Sequence, residues 1–271
     1  MASDATILCC APNGARRGTG DHPALPVTSA QMAETAKRCL DAGAAMLHCH
    51  ARDGAGRHSL DPELNRSWLE AVQRAVGDRL ILQLTTEAAG IYGRRQQLEL
   101  LRALRPESFS AAVRELCPDA TAEEEYAGVL AALRADGVRM QHIVYSPEEL
   151  ARFVGLHEAG VVPEQRPLLL FVLGRYSGAA GRARDLPAFL QVLGGRDWPW
   201  MVCAFGAEEA TSAVAAAALG GHARIGFENN LQAAGGRVYA DNAESVGMVR
   251  RLFEGMGRPV ADVGAARALL R

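Results

Sequence analysis

Apolar runs rich in β-branched residues recur along the chain at a spacing of roughly thirty residues, opening near Thr6, Met46, Leu80, Phe109, Met140, Leu168, Met201 and Ala223. Each is too short for a globular helix and is apolar at consecutive positions, the pattern of a strand covered on both faces. Between the runs the apolar positions switch to helical spacing. Residues 29–40 are introduced by Pro26 and Thr28 and closed by Asp41-Ala42-Gly43, and residues 62–76 repeat the pattern. Thr121 opens a third segment with Glu123, Glu124 and Glu125 in its first turn, where carboxylates favour the helix dipole. Pro147-Glu148-Glu149 starts a fourth, Pro187 sits early in a fifth, and residues 208–219 make an alanine-rich sixth. Gly137, Gly160, Gly194-Gly195 and Gly220-Gly221 follow helices where a left-handed residue ends them, and residues 241–271 supply an eighth helix and a terminal one.

Strand and helix alternate along the whole chain without a break in composition. Parallel strands joined by crossover helices are the economical reading, and eight units closing on themselves predict a (β/α)₈ TIM barrel, a single domain over residues 1–271. An open doubly wound sheet is the alternative, weakened because no GxGxxG follows the first strand. At 271 residues such a domain buries a large core. The net charge of −2 argues against a nucleic-acid surface or an anionic membrane surface. No apolar run approaches the ~18 residues of a membrane span, and no basic n-region opens the chain. Six cysteines without a CxxC pair read as reduced core thiols of a cytoplasmic protein.

In a barrel of this kind chemistry sits where strands end and the following loops begin. His48 and His50 stand two apart at the end of the second run, so both imidazoles project to one face while Cys49 turns away. That pair suits Zn²⁺ or a similar divalent ion and calls for a third ligand. Glu228, at the end of the eighth run, can supply it, because strands eight and two are separated only by strand one. Arg224 shares its face, with Gly226 leaving room between them. His222 shares that face too but lies about 20 Å below, a structural position. Other strand ends add Asn13-Gly14, Thr85-Thr86-Glu87, Arg114-Glu115, His142 and Ser146, and Asn229-Asn230, each of which also suits a cap or turn. Lys37, on the first helix, is the only lysine, which excludes a Schiff-base aldolase, and no Walker loop is present. A metal acting as Lewis acid on a carbonyl fits what remains.

These residues also carry a resemblance. Ala11-Pro12-Asn13-Gly14, Pro26-Val27-Thr28, Ala42-Gly43-Ala44 and the run from His48 through Gly56 follow in an order that resembles the β-keto acid cleavage enzymes. The segment from Gly220 through Asn230, then Asn242-Ala243 and Ala265-Ala266-Arg267, resembles that family's last strand and tail. The resemblance implies a zinc-dependent barrel, commonly a tetramer, that condenses a β-keto acid with acetyl-CoA as co-substrate and releases acetoacetate and a new acyl-CoA. It implies His48, His50 and Glu228 as metal ligands, Arg224 orienting the catalytic polar groups, and Thr85 where a hydroxyl is usual. Glu115 and Asn229 join them as candidate catalytic residues, with Asn13, Gly14, Arg16, Thr86, Glu87 and Asn230 as candidate substrate contacts.

The departures from the family pattern bear on chemistry. Asn229 stands where an acid–base aspartate is usual, and a carboxamide cannot accept a proton as a carboxylate can. Either Glu87 or Glu115 then serves as base, or the reaction differs. Arg16-Arg17 replace an acidic contact after the first strand, which favours an acidic or neutral keto acid over an amine. Thr85-Thr86-Glu87-Ala88 replaces Ser-Thr-Gly-Gly after the third strand, and the acidic pair of the fifth strand is missing around Gln141 and Ile143. Two other functions stay open: metal-assisted cleavage or hydrolysis without acetyl-CoA, and a metal-binding barrel that has lost catalysis.

Overall fold

The computed structural model describes residues 5–176, 178 and 180–270. Among them the eight expected strands are β1 (Leu8–Cys10), β2 (Met46–Cys49), β3 (Ile81–Thr85), β4 (Ser108–Ala112), β5 (Arg139–Val144), β6 (Leu168–Leu173), β7 (Trp200–Ala204) and β8 (His222–Ile225). They pair in chain order, all parallel, and β8 returns to β1 to close the barrel. The helices are α1 (Ser29–Ala42), α2 (Pro62–Val76), α3 (Arg94–Ala103), the single turn α4 (Val113–Leu116), α5 (Glu123–Ala135), α6 (Pro147–Glu158), α7 (Leu186–Leu193), α8 (Glu209–Ala218), α9 (Asn242–Gly255) and α10 (Val263–Leu269). No helix of the described residues is long and apolar enough to cross a membrane.

Both faces of every strand are covered, which is why the strands read as unbroken apolar runs. Outward residues such as Leu47, Leu82, Leu84, Phe109, Met140, Leu169, Phe171 and Ile225 join the helix faces in the larger core. Fully burying one such leucine or phenylalanine stabilises the fold by about 1.5–3 kcal/mol. Inward residues Ile7, Cys9, Met46, Ile81, Leu168, Leu170 and Met201 fill the lower barrel. Higher up the interior turns polar: His48, Gln83, Ser108, Ser110, Gln141 and Arg224 are all buried. The helices start and stop on local chemistry. Thr28 and Gln31 form a reciprocal capping box at α1, and Gly43, at φ 113°, ends it with its N–H on the Cys39 and Leu40 carbonyls.

Three sequence expectations need correction. The run opening at Phe109 continues in sequence to Leu116, yet β4 ends at Ala112, so Arg114 and Glu115 sit on the helical turn α4 instead of the strand end. The helix α3 went unread because its sequence is dominated by arginine and glutamine, with Leu98, Leu100 and Leu101 as its buried apolar contacts. His142 does not face the barrel interior. It points outward beneath α5 and α6, its Nδ1 2.9 Å from the Tyr126 hydroxyl and its ring tilted on Phe153, while Ser146 caps α6. The inward positions of β5 are Gln141 and Ile143, since a strand buried on both faces gives no alternation to reveal its parity.

The chain leaves β8 through Gly226, at φ 133°, and turns at once: the N–H groups of Asn229 and Asn230 both reach the Gly226 carbonyl. Glu228 therefore sits in a turn just beyond the strand. A Cβ at Gly226 would lie 2.6 Å from the Ala11 carbonyl oxygen and 3.0 Å from Asn242 Oδ1. Gly226→Ala is expected to destabilise the protein by about 2–4 kcal/mol, combining left-handed strain with a backbone clash. Gly235→Ala, at φ 83° with open space around it, should cost about 1 kcal/mol. Denaturant unfolding of the two variants checks the difference, and equal losses would contradict the packing argument.

Candidate functional site

Three side chains converge at the C-terminal mouth of the barrel. His48 points inward from β2, and His50 follows one residue past its end. Their Nε2 atoms stand 3.0 Å apart. Glu228 Oε2, from the turn after β8, lies 3.5 Å from His48 Nε2 and 3.4 Å from His50 Nε2. All three residues are buried, at 1%, 1% and 4% exposure. Glu228 Oε2 finds no hydrogen-bond donor, although it is shut away from water. Two ligand atoms about 2.0–2.2 Å from a tetrahedral zinc are separated by about 3.3–3.6 Å, which both Glu228–imidazole spacings match, while the two imidazole nitrogens stand a few tenths of an ångström closer. Three lone-pair donors facing one another with no group between them are the arrangement a cation relieves.

The surroundings leave these side chains in the form a metal would need. Gln83 Nε2 donates to Ser108 Oγ at 3.0 Å, which turns Gln83 Oε1 toward His48 Nδ1 at 2.9 Å. Nδ1 then carries the proton and Nε2 keeps its lone pair. Burial, helped by the nearby Arg224 guanidinium, pushes the His48 pKa well below its usual value, so the ring is neutral. Burial alone would raise the Glu228 pKa. Arg224, whose Nη2 donates to Oε1 at 3.2 Å, outweighs that and holds the carboxyl well below the usual range. Glu228 is therefore an anion in a dry site, tied to a cation on one oxygen and open on the other. Asn13 braces the second ligand: its Oδ1 accepts from the His50 backbone N–H at 3.3 Å while its Nδ2 donates to the His50 carbonyl at 2.9 Å.

A cavity of about 580 Å³ opens above the three ligands, lined by residues that include Arg16, Glu87, Glu115, Tyr145, Tyr176, Arg224 and Glu228. Arg224 lines this cavity, and its Nε and Nη1 are buried without hydrogen-bond partners. Glu87 reaches within 3.8 Å of His50 Nδ1 from the loop after β3, and burial raises its pKa. Glu115 is already engaged, its Oε2 accepting from Gln97 Nε2 at 2.6 Å and from the Ala88 N–H at 3.3 Å. Thr85 Oγ1 accepts from the Glu87 N–H at 3.0 Å and Thr86 Oγ1 donates to the Ser110 carbonyl, so both shape the loop that carries Glu87. Gly14 lies against the Glu228 side chain. Asn230 bonds the Gln232 backbone and Glu209, and Asn229 is buried with both carboxamide atoms unpaired; neither lines the cavity.

Four supporting residues escaped the sequence. Gln83 orients His48 from inside the barrel. Glu209, fully buried at the start of α8 and pushed up to about 8 by that burial, accepts from the Gly226 N–H at 2.9 Å and so fixes the turn behind Glu228. Arg52 donates to the carbonyls of Asn13, Gly14 and Arg17, clamping the loop after β1. Tyr176 enters from the loop after β6. A buried carboxamide or carboxylate on a strand or helix start has no distinctive spacing, so only Arg52, inside the run after His50, carried any signal.

The family model described as beta-keto acid cleavage enzyme matches residues 5–271. The chain is 27% identical over 270 residues to the 3-keto-5-aminohexanoate cleavage enzyme of Acetoanaerobium sticklandii, covering 97% of each chain. It is 26% identical over 270 residues to the 3-oxoadipate:acetyl-CoA acetyltransferase of Cupriavidus necator, covering 97% of this chain and 94% of that one. Among solved structures, the ternary complex of ObcA with a C4-CoA adduct and oxalate superposes with a TM-score of 0.73 at 18% identity, over 92% of this chain and 67% of that one, a likeness of fold. With the family model spanning all but the first four residues, the chain belongs to the beta-keto acid cleavage enzyme family, whose members cleave β-keto acids.

Proposed function

We propose that this enzyme is zinc-dependent and exchanges acyl groups between a β-keto acid and acetyl-CoA, giving acetoacetate and a new acyl-CoA. The observation that carries the reading is the convergence of His48 Nε2, His50 Nε2 and Glu228 Oε2 beneath a cavity whose wall presents two unpartnered Arg224 N–H groups. In the exchange the C2–C3 bond of the keto acid breaks and a bond forms between C2 and the acetyl carbonyl carbon. The CoA thiolate passes from the acetyl group to the departing acyl group, so atoms and charge balance. The names of the relatives, which include an acetyl-CoA acetyltransferase, support this reaction type.

A zinc ion held by His48, His50 and Glu228 supplies Lewis acidity to the keto acid's oxygens. The remaining work falls to side chains. Arg224 offers its free Nε and Nη1 hydrogens to the substrate carboxylate, a charge-assisted pairing in a buried wall. Glu87 is the base for the C2 proton: it borders the cavity with its carboxylate uncommitted to the fold, whereas Glu115 is tied down by Gln97 and Ala88 and Asn229 has no carboxylate. Arg16, exposed at the rim, faces the far end of the substrate and selects keto acids that are acidic or neutral there. A second reading is cleavage without acetyl-CoA, which the replacement of an acid–base carboxylate by Asn229 favours.

Incubating the zinc-loaded protein with a panel of β-keto acids, with and without acetyl-CoA, separates the two. The account predicts acetoacetate and a new acyl-CoA in equal amounts, and only when acetyl-CoA is present; full turnover without it contradicts the exchange. On the same panel, Arg16→Glu is expected to lower kcat/KM for a substrate with a distal carboxylate by about 10-fold, the scale of one charge reversal at a half-screened rim, and to improve it for a distal ammonium. An unchanged ranking would remove Arg16 from substrate selection.

A further inference from the structure

We propose that the Tyr176 hydroxyl is a catalytic hydrogen-bond donor to the keto oxygen as charge develops on it, a role resting on the acyl-exchange reading. Tyr176 follows β6 on a loop whose ends are pinned by the pairing of Gly174 with Ala180. Its ring lies against Phe205, centroids 4.5 Å apart, and beneath the Arg16 guanidinium at 5.4 Å. The hydroxyl oxygen is shut off from solvent and has no hydrogen-bond partner. A phenol buried without a partner forfeits a hydrogen bond, which is costly unless a ligand completes it.

Gly14 leaves the room that hydroxyl occupies. A Cβ built on Gly14 would lie 2.7 Å from the Tyr176 oxygen and 2.6 Å from Glu228 Cγ, so both side chains close on the same point beside the proposed metal ligands. Both also line the cavity with Arg224. Burial first, then the negative charges of Glu228 and Glu87, push the phenol pKa well above its ordinary value, so the group keeps its proton and acts as a donor. The Tyr92 hydroxyl, by contrast, is spent on the His58 carbonyl at 3.2 Å. When Glu87 takes the C2 proton, the electron pair of that C–H bond moves onto the keto oxygen. Tyr176 donates to this oxygen without transferring its own proton, which is oxyanion stabilisation by a preorganised donor.

The test follows C2-proton exchange of acetoacetate in D₂O by NMR, with zinc-loaded protein and no acetyl-CoA, alongside acetoacetate affinity by calorimetry. Tyr176→Phe keeps the ring packing on Phe205 and removes only the donor. The expected result is exchange slowed about 100-fold with the dissociation constant within about twofold of wild type, and an unchanged melting midpoint. Exchange at the wild-type rate, or a loss confined to weaker binding, would overturn the proposal. Wild-type protein that accelerates no exchange would overturn it as well, and acyl-CoA formation in the presence of acetyl-CoA would then still report separately on the exchange reading. Conversely, rapid wild-type exchange that Tyr176→Phe slows, with no acyl-CoA formed, would retain Tyr176 and reject acyl transfer.

Discussion

Glu228 is the constraint on which the rest of the site depends. A carboxylate buried this deeply is costly unless cations answer it, and here one oxygen receives the Arg224 guanidinium while the other faces the His48 and His50 imidazoles. The first half of that arrangement is complete within the protein. The second half is not, and a divalent ion is the group whose charge and geometry complete it. Arg224, inward on β8, keeps Glu228 ionised and has two further N–H groups left without a protein partner.

The barrel makes this convergence inexpensive. Closing β8 on β1 places the turn after β8 two strands from the end of β2, so ligands 178 residues or more apart in sequence meet without a long loop. Each ligand is then fixed from behind: His48 by Gln83, the His50 backbone by Asn13, and the Glu228 turn by Glu209 and by the close approach of Gly226 to Ala11. Gln83 lies on β3 and Glu209 at the start of α8, so their part of the site inherits the rigidity of the core. Tyr176 comes from the loop after β6, and its placement depends on Gly14 leaving space beside Glu228.

The legible part of this design was the part written in periodicity. Eight apolar runs and the helices between them announced the barrel, and the two-residue spacing of His48 and His50 announced a shared face. Glu228 stands beside the two histidines as the alternation argument expects, by a different route: that argument placed it on the strand, and the structure places it in a turn that Gly226 permits. Illegible features have physical reasons. Strand parity is hidden where both faces are apolar, which misplaced His142. A turn of helix spelled Val-Arg-Glu-Leu reads equally as strand, which misplaced Arg114 and Glu115. Gln83, Glu209 and Tyr176 act through contacts between distant segments, and no local pattern encodes those.

The account's central claim is that His48, His50 and Glu228 hold one divalent ion, and metal content tests it without reference to any substrate. Wild-type protein and His48→Ala, purified in parallel and dialysed after incubation with zinc, are compared by elemental analysis. The prediction is about one zinc per chain in the wild type and close to none in a variant that remains folded. A wild-type protein that retains no zinc, or a His48→Ala protein that retains as much, would contradict it.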